Sequence, residues 1–91
     1  MIMVNNPFGQ DPMDFKVETA ASRVGGRIRK IRTEKGLSQT ELGELVGLTA
    51  DRIQKYENGA RKPKTDLLKK IAAALGVSTL ALVDPTTTNY I

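Results

Sequence analysis

Between Ser38 and Gly59 the chain carries two sets of helix start and stop signals separated by a single tight turn. Ser38 is placed to cap a first helix, and Glu41, three residues later, completes a capping box. Leu37 and Leu42 stand at the positions of a hydrophobic staple. Gly47 ends that helix where a left-handed residue is needed, which glycine supplies without steric cost. Thr49 caps a second helix with Leu48 and Ile53 as its staple, and Gly59 closes it. The spacing predicts helices over about 39–46 and 50–58. Leu42, Leu45 and Val46 are expected inward on the first, and Ile53 inward on the second with Tyr56 beside it.

The flanking segments read as helices too. Val17, Ala21, Val24, Ile28 and Ile31 recur at spacings of four and three. Gly25-Gly26 interrupts that run at a cost of roughly 1 kcal/mol per glycine relative to alanine. Either one long helix passes through the glycines, or a short leading helix breaks there. Arg27 to Lys35 is helical in both cases, and Gly36 stops it. Residues 59–64 form a loop in which Pro63 keeps Lys62 extended. A further helix starts at Thr65 or Asp66, buries Leu67, Leu68, Ile71, Ala72 and Leu75, and ends at Gly76. Ser78 caps a short last helix with Val77 and Leu82 as staple, and Asp84-Pro85 breaks the pattern. No segment alternates with period two, so the fold class is all-α: five short helices around one aliphatic core. The expected division is an N-terminal arm over 1–22, a domain over 23–84 and a C-terminal tail over 85–91. Asn5, Asn6, Pro7, Gly9 and Pro12 mark the arm, which is either flexible or ends in the short leading helix.

Composition narrows the function. The 91 residues suffice for one small domain. With no Cys and no His, disulfides, thiolate nucleophiles, imidazole bases and nearly every zinc site are excluded. No carboxylate cluster or phosphate-loop glycine pattern takes their place, so the sequence predicts no enzymatic activity, no cofactor and no metal. No run approaches the roughly 20 apolar residues of a membrane span. The N-terminus lacks the basic region that precedes the apolar stretch of a secretory signal, and a cytoplasmic protein is expected. Aromatics make up only 4%, too few for a platform that stacks single-stranded bases. The net charge of +4 is unevenly spread. Residues 23–36 hold six bases against Glu34, and residues 61–71 hold five against Asp66. Residues 37–60 hold four acids and two bases. Two basic blocks flanking a helix pair suit a polyanion. A helix held out at a steep angle by a tight turn suits the DNA major groove.

Particular residues carry a resemblance. They are Ile28-Arg29 with Arg32, Gly36-Leu37-Ser38-Gln39 with Glu41-Leu42, Gly47-Leu48-Thr49, Ile53, Glu57-Asn58-Gly59, Pro63 and Ala74-Leu75-Gly76-Val77. In this order and spacing, residues 27–83 resemble the phage-repressor/Cro-like helix-turn-helix family, the XRE-type DNA-binding domain. The resemblance implies a five-helix, lambda-repressor-like domain of prokaryotic or phage type whose third helix enters the major groove. It implies that Arg32 and Glu57 form a partly buried ion pair that joins the first helix to the end of the third, positioning that helix without reading DNA. It also implies a small residue at position 43, where the second and third helices meet. The family usually has Ala there; Gly43 fits at a cost of roughly 1 kcal/mol in helix propensity.

On the third helix Asp51 and Lys55 share a face opposite Ile53. Arg52 or Lys55 would donate to guanine O6 and N7, Asp51 would accept from cytosine N4, and Ala50 would pack on a thymine methyl. The plainer reading joins Asp51 to Lys55 in a surface bridge and sets Asp51 against the positive end of the helix. For phosphate contact the resemblance points to Gln39 and Thr49 at the two helix starts, and to Asn58, Arg61, Lys62 and Lys64 after the third helix. Arg23, Arg27, Arg29, Lys30, Lys69 and Lys70 are expected on solvated helix faces.

These residues predict a sequence-specific binder of double-stranded DNA that regulates transcription as a repressor at the nucleoid. One short reading helix covers few base pairs, so a homodimer on an inverted repeat is expected. Leu80, Leu82, Val83 and Ile91 either supply its apolar patch or belong to the core and the tail, the commoner place for such residues. The alternative is a protein-interaction module, such as the antitoxin component of a toxin–antitoxin pair. There residues 1–22, with Asp11, Asp14 and Glu18 against Lys16, would fold onto a protein partner.

Overall fold

The computed structural model describes residues 19–83. Five helices follow in order: α1 (Ala20–Glu34), α2 (Gln39–Val46), α3 (Ala50–Glu57), α4 (Thr65–Leu75) and α5 (Thr79–Val83). There is no strand among the described residues. The predicted caps form. Ser38 Oγ accepts the Glu41 N–H while the Glu41 carboxylate accepts the Ser38 N–H. Thr49 Oγ1 accepts the Arg52 N–H, and Ser78 Oγ accepts the Ala81 N–H. Gly47 is left-handed at φ 80°, and its N–H and that of Leu48 both return to the Gly43 carbonyl.

Of the two alternatives for the glycine pair, the molecule adopts the single helix. A Thr19–Ser22 capping box starts α1, which runs unbroken through Gly25-Gly26. It therefore reaches into the segment 1–22 expected as an arm. Residues 1–18 and 84–91, including Ile91 and the tail over 85–91, lie outside the described residues.

Packing explains the glycines that propensity treats as weaknesses. Gly25 is buried where α1 crosses the end of α3. A methyl there would fall on the Tyr56 carbonyl oxygen and lie 2.8 Å from the Glu57 carbonyl carbon. Gly26, its neighbour, faces open space. Gly59 meets α1 from the other side; a Cβ would sit 3.0 Å from Ser22 Cα, and its φ of 82° already excludes most side chains. Gly43 stands where the resemblance implies a small residue, and here the site is too tight even for alanine. A methyl on Gly43 would fall on the Leu48 carbonyl oxygen and 3.2 Å from its carbon. The turn is drawn onto α2 more closely than alanine permits.

The core is aliphatic, as composition requires. α1 contributes Val24, Ile28 and Ile31, α2 Leu42 and Val46, and α3 Ile53. α4 adds Leu68, Ile71, Ala72 and Leu75, and α5 adds Leu82. Each fully buried side chain, such as Ile28, Leu42, Ile53 or Ile71, contributes about 1.5–3 kcal/mol through the water it leaves. Leu45 departs from expectation. It was placed inward by periodicity, but it is 60% exposed. The buried stripe of α2 runs through Leu42, Gly43 and Val46, which turns Leu45 outward beside a shallow groove with Lys70, Ala73 and Ala74. Leu82 is core, whereas Leu80 and Val83 are exposed.

The two adjacent glycines should respond oppositely to alanine. Gly26→Ala should stabilise the fold by about 0.5–1 kcal/mol. Gly25→Ala should destabilise it by about 1–3 kcal/mol through forced separation of α1 and α3. Urea unfolding of the two variants beside the parent measures both, and equal effects would contradict this packing.

Candidate nucleic-acid interface

The inner face of α3 is fixed before its outer face can present anything. Ile53 and Tyr56 enter the core. Glu57, at the last turn, is buried with Arg32 of α1. Arg32 Nε donates to Glu57 Oε2 and Nη2 to Oε1 (3.1 Å), a two-point contact between fork and carboxylate. Arg32 Nη1 donates to the Leu37 carbonyl at 2.6 Å. Gln39 Nε2 donates to Glu57 Oε1 at 3.0 Å. One guanidinium and one carboxylate thus tie the end of α1, the entry to α2 and the end of α3 into a single knot. Among the described residues no buried side-chain nitrogen or oxygen lacks a partner.

This geometry gives Gln39 a role that sequence reading did not supply. Its amide was expected at a phosphate; in the structure one of its N–H bonds is held by Glu57, and the side chain is half-buried. An amide nitrogen carries two hydrogens, so one remains. Arg27 also departs from the solvated face expected of it: its Nε donates to the Ala81 carbonyl at 3.2 Å, joining α1 to α5.

The outward face of α3 carries Asp51 and Lys55, both exposed. They are joined by an ion pair of 3.1 Å across one helical turn, the surface bridge that the spacing allowed. Arg52 flanks them and is exposed, while Ala50 is half-buried at the edge. Gln54, exposed on the other flank, is a further candidate not singled out from the sequence, since an exposed amide can pair with the edge of adenine. Thr49 is exposed, with its hydroxyl oxygen occupied by the cap. After α3, Asn58 Oδ1 accepts the Ala60 N–H at 2.9 Å and shapes the loop. Arg61, Lys62 and Lys64 are exposed on either side of buried Pro63, which anchors that loop. Lys62 shares a groove with Arg23 of α1 and Val83 of α5. Among the described residues no group of His, Cys, Asp or Glu could hold a metal, and no helix is long and apolar enough to cross a membrane.

Residues 28–82 match the helix-turn-helix family. An HTH-type transcriptional regulator of Sinorhizobium medicae is 39% identical over 75 residues, covering 82% of this chain and 49% of that protein. The cryptic phage CTXphi transcriptional repressor RstR of Vibrio cholerae is 33% identical over 63 residues, covering 69% of this chain and 57% of the repressor. Among solved structures, the restriction-modification controller protein C.AhdI from Aeromonas hydrophila aligns at a TM-score of 0.66 and 35% identity. That alignment covers 68% of this chain and 94% of the controller. The chain spans about half the length of the Sinorhizobium regulator.

The buried knot makes a stability prediction. Arg32→Met leaves Glu57 charged, buried and short of its main partner, and should cost about 3–5 kcal/mol. Arg32→Met combined with Glu57→Leu removes both charges and should cost less than the single change. Denaturant unfolding of both variants tests this, and a double variant weaker than the single one would count against it.

Proposed function

The chain belongs to the helix-turn-helix family, and from that membership we propose that it binds double-stranded DNA sequence-specifically and regulates transcription as a repressor, with α3 in the major groove. The observation that carries this reading is the division of α3 into two faces. Its inner face is held by the core and by Arg32, while its outer face offers Asp51, Arg52 and Lys55 to solvent. Rigid presentation of a few polar side chains is what reading base edges requires. Ala50 lies at the edge for contact with a thymine methyl.

In this reading phosphate is gripped at both ends of the helix pair. Gln39 offers its remaining amide hydrogen beside the free backbone N–H groups at the start of α2, and Thr49 offers its hydroxyl hydrogen beside those at the start of α3. Asn58, Arg61, Lys62 and Lys64 follow the next stretch of backbone. The protein works by binding alone, without catalysis, in the cytoplasm at the nucleoid. Two copies engage an inverted repeat, with exposed Leu80 and Val83 of α5 as their apolar contact. The relative named as a phage repressor and the neighbour named as a controller protein support regulation as the outcome of binding.

Selection of bound duplexes from a random library at near-physiological salt tests the proposal. The expected result is an inverted repeat with half-site centres about one helical turn apart. Enrichment of nothing, with binding that collapses steeply as salt rises, would reduce the function to grip on phosphate alone. Arg52→Ala should relax preference by about 1–3 kcal/mol at one base pair and leave other positions unchanged. Gln39→Ala should weaken every duplex alike with little change in stability, because Arg32 still holds Glu57 Oε1. Unchanged affinity would remove Gln39 from the interface.

A further inference from the structure

We infer that Asp51 and Lys55 act as one unit that reads a single G·C base pair, with cytosine facing Asp51 and guanine facing Lys55. The inference rests on the DNA-binding reading above and makes its specificity explicit. Asp51 Oδ2 and Lys55 Nζ stand 3.1 Å apart on the outermost face of α3, with both side chains half or more exposed. They therefore present an acceptor and a donor side by side, pointing away from the protein. The major-groove edge of a G·C pair presents the complementary couple. Cytosine N4 donates to guanine O6 within the pair, so those two atoms are separated by one hydrogen bond of about 2.9 Å. The spacing of the protein couple matches that of the base couple.

The four groups close a ring in which every donor has a free hydrogen. Cytosine N4 carries two hydrogens, one for guanine O6 and one for Asp51. The ammonium of Lys55 carries three, enough for Asp51, guanine O6 and guanine N7. The carboxylate oxygen has lone pairs for both neighbours. The ion pair therefore survives binding, and no charge is left unpartnered when water is expelled. An A·T pair also offers a donor beside an acceptor, through adenine N6 and thymine O4. There the carboxylate would face the adenine N7 acceptor, and the ammonium would lose the O6 and N7 couple that guanine gives it. Cytosine has no acceptor at that edge. The couple thus selects G·C over A·T and reads which strand carries the guanine.

The ion pair has no net charge, so it adds discrimination without adding to the salt dependence of binding. That separates it from Arg61, Lys62 and Lys64, which form no ion pair among the described residues.

The decisive experiment exchanges the two residues. The full chain and its Asp51→Lys, Lys55→Asp double variant are each put through duplex selection, with thermal unfolding confirming that both fold. The parent should enrich one G·C pair at a fixed position in each half-site. The exchanged protein should enrich the same half-site with that pair inverted, guanine moving to the other strand. If the parent enriches a repeat and the exchanged protein enriches the same repeat unaltered, the inference is overturned while DNA reading stands. If the parent enriches nothing, the function proposed above fails and takes this inference with it. Should the exchanged protein bind no duplex, Asp51→Asn decides. A loss of about ten- to hundred-fold in preference at that one pair supports the joint reading, and a uniform change across all duplexes overturns it.

Discussion

Everything that α3 presents to solvent depends on one guanidinium. Arg32 spends its fork on Glu57 and its remaining arm on the Leu37 carbonyl, so a single side chain fixes the end of α1, the entry to α2 and the end of α3. Such a pair is weak evidence for stability, because taking both charges out of water costs nearly what their attraction returns. Its effect is on register. Apolar contacts at Ile53 and Tyr56 set which face of α3 is inward, and the two-point contact between fork and carboxylate adds a directional constraint. A helix that reads base edges needs that kind of constraint, since a shift of an ångström moves donors off their acceptors.

The close approaches at glycine act in the same direction. Gly25 lets the backbone of α1 touch the last carbonyls of α3, Gly59 brings the exit of α3 against Ser22, and Gly43 brings the turn against α2. At each point main chain meets main chain, and main chain has no rotamers to relax into. The helix pair is therefore held by rigid parts at the turn and at its far end. The cost in helix propensity at Gly25 and Gly43 is offset by a geometry that a Cβ would prevent.

Sequence reading reached the elements and the caps because those are local. Ser38 with Glu41, Thr49, Gly47 and Ser78 encode helix ends in spacing alone, and each forms as spaced. The start of α1 was missed because Thr19 and Ser22 make a box from two short hydroxyl side chains, outside the usual pattern of Ser or Thr followed by an acid or amide. The meaning of Gly25 could not be read along the chain, since the atoms that exclude its methyl lie in residues 56 and 57. Leu45 misled because apolar spacing marks a stripe but not its centre; the contact at Gly43 sets the centre, and Leu45 falls outside it. The resemblance implies Arg32 with Glu57, whereas Gln39 and Leu37 join that pair only through contacts made in the folded chain. For the proposed DNA contacts the sequence offers only a choice among exposed residues of α3 and the segments beside it, because the selection depends on a molecule outside the chain.

The charge layout gives the candidate interface its division of labour. The basic blocks at 23–36 and 61–71 stand before and after the helix pair, while the pair itself carries more acid than base. If phosphate attraction alone were the aim, an acid at Asp51 on the outermost face would be a fault, since it repels the polyanion it faces. With Lys55 beside it, that repulsion is cancelled where it would matter most. What is left at the centre is a pattern of donor and acceptor rather than a charge. In the proposed DNA-binding reading, attraction, which is long-ranged and indifferent to sequence, falls to the exposed bases Arg61, Lys62 and Lys64, since Arg32 of the first block is neutralised by Glu57. In the same reading discrimination, which needs fixed atoms at hydrogen-bond distance, falls to exposed Asp51 and Lys55 on the outer face of α3, a helix whose last turn Arg32 holds in place.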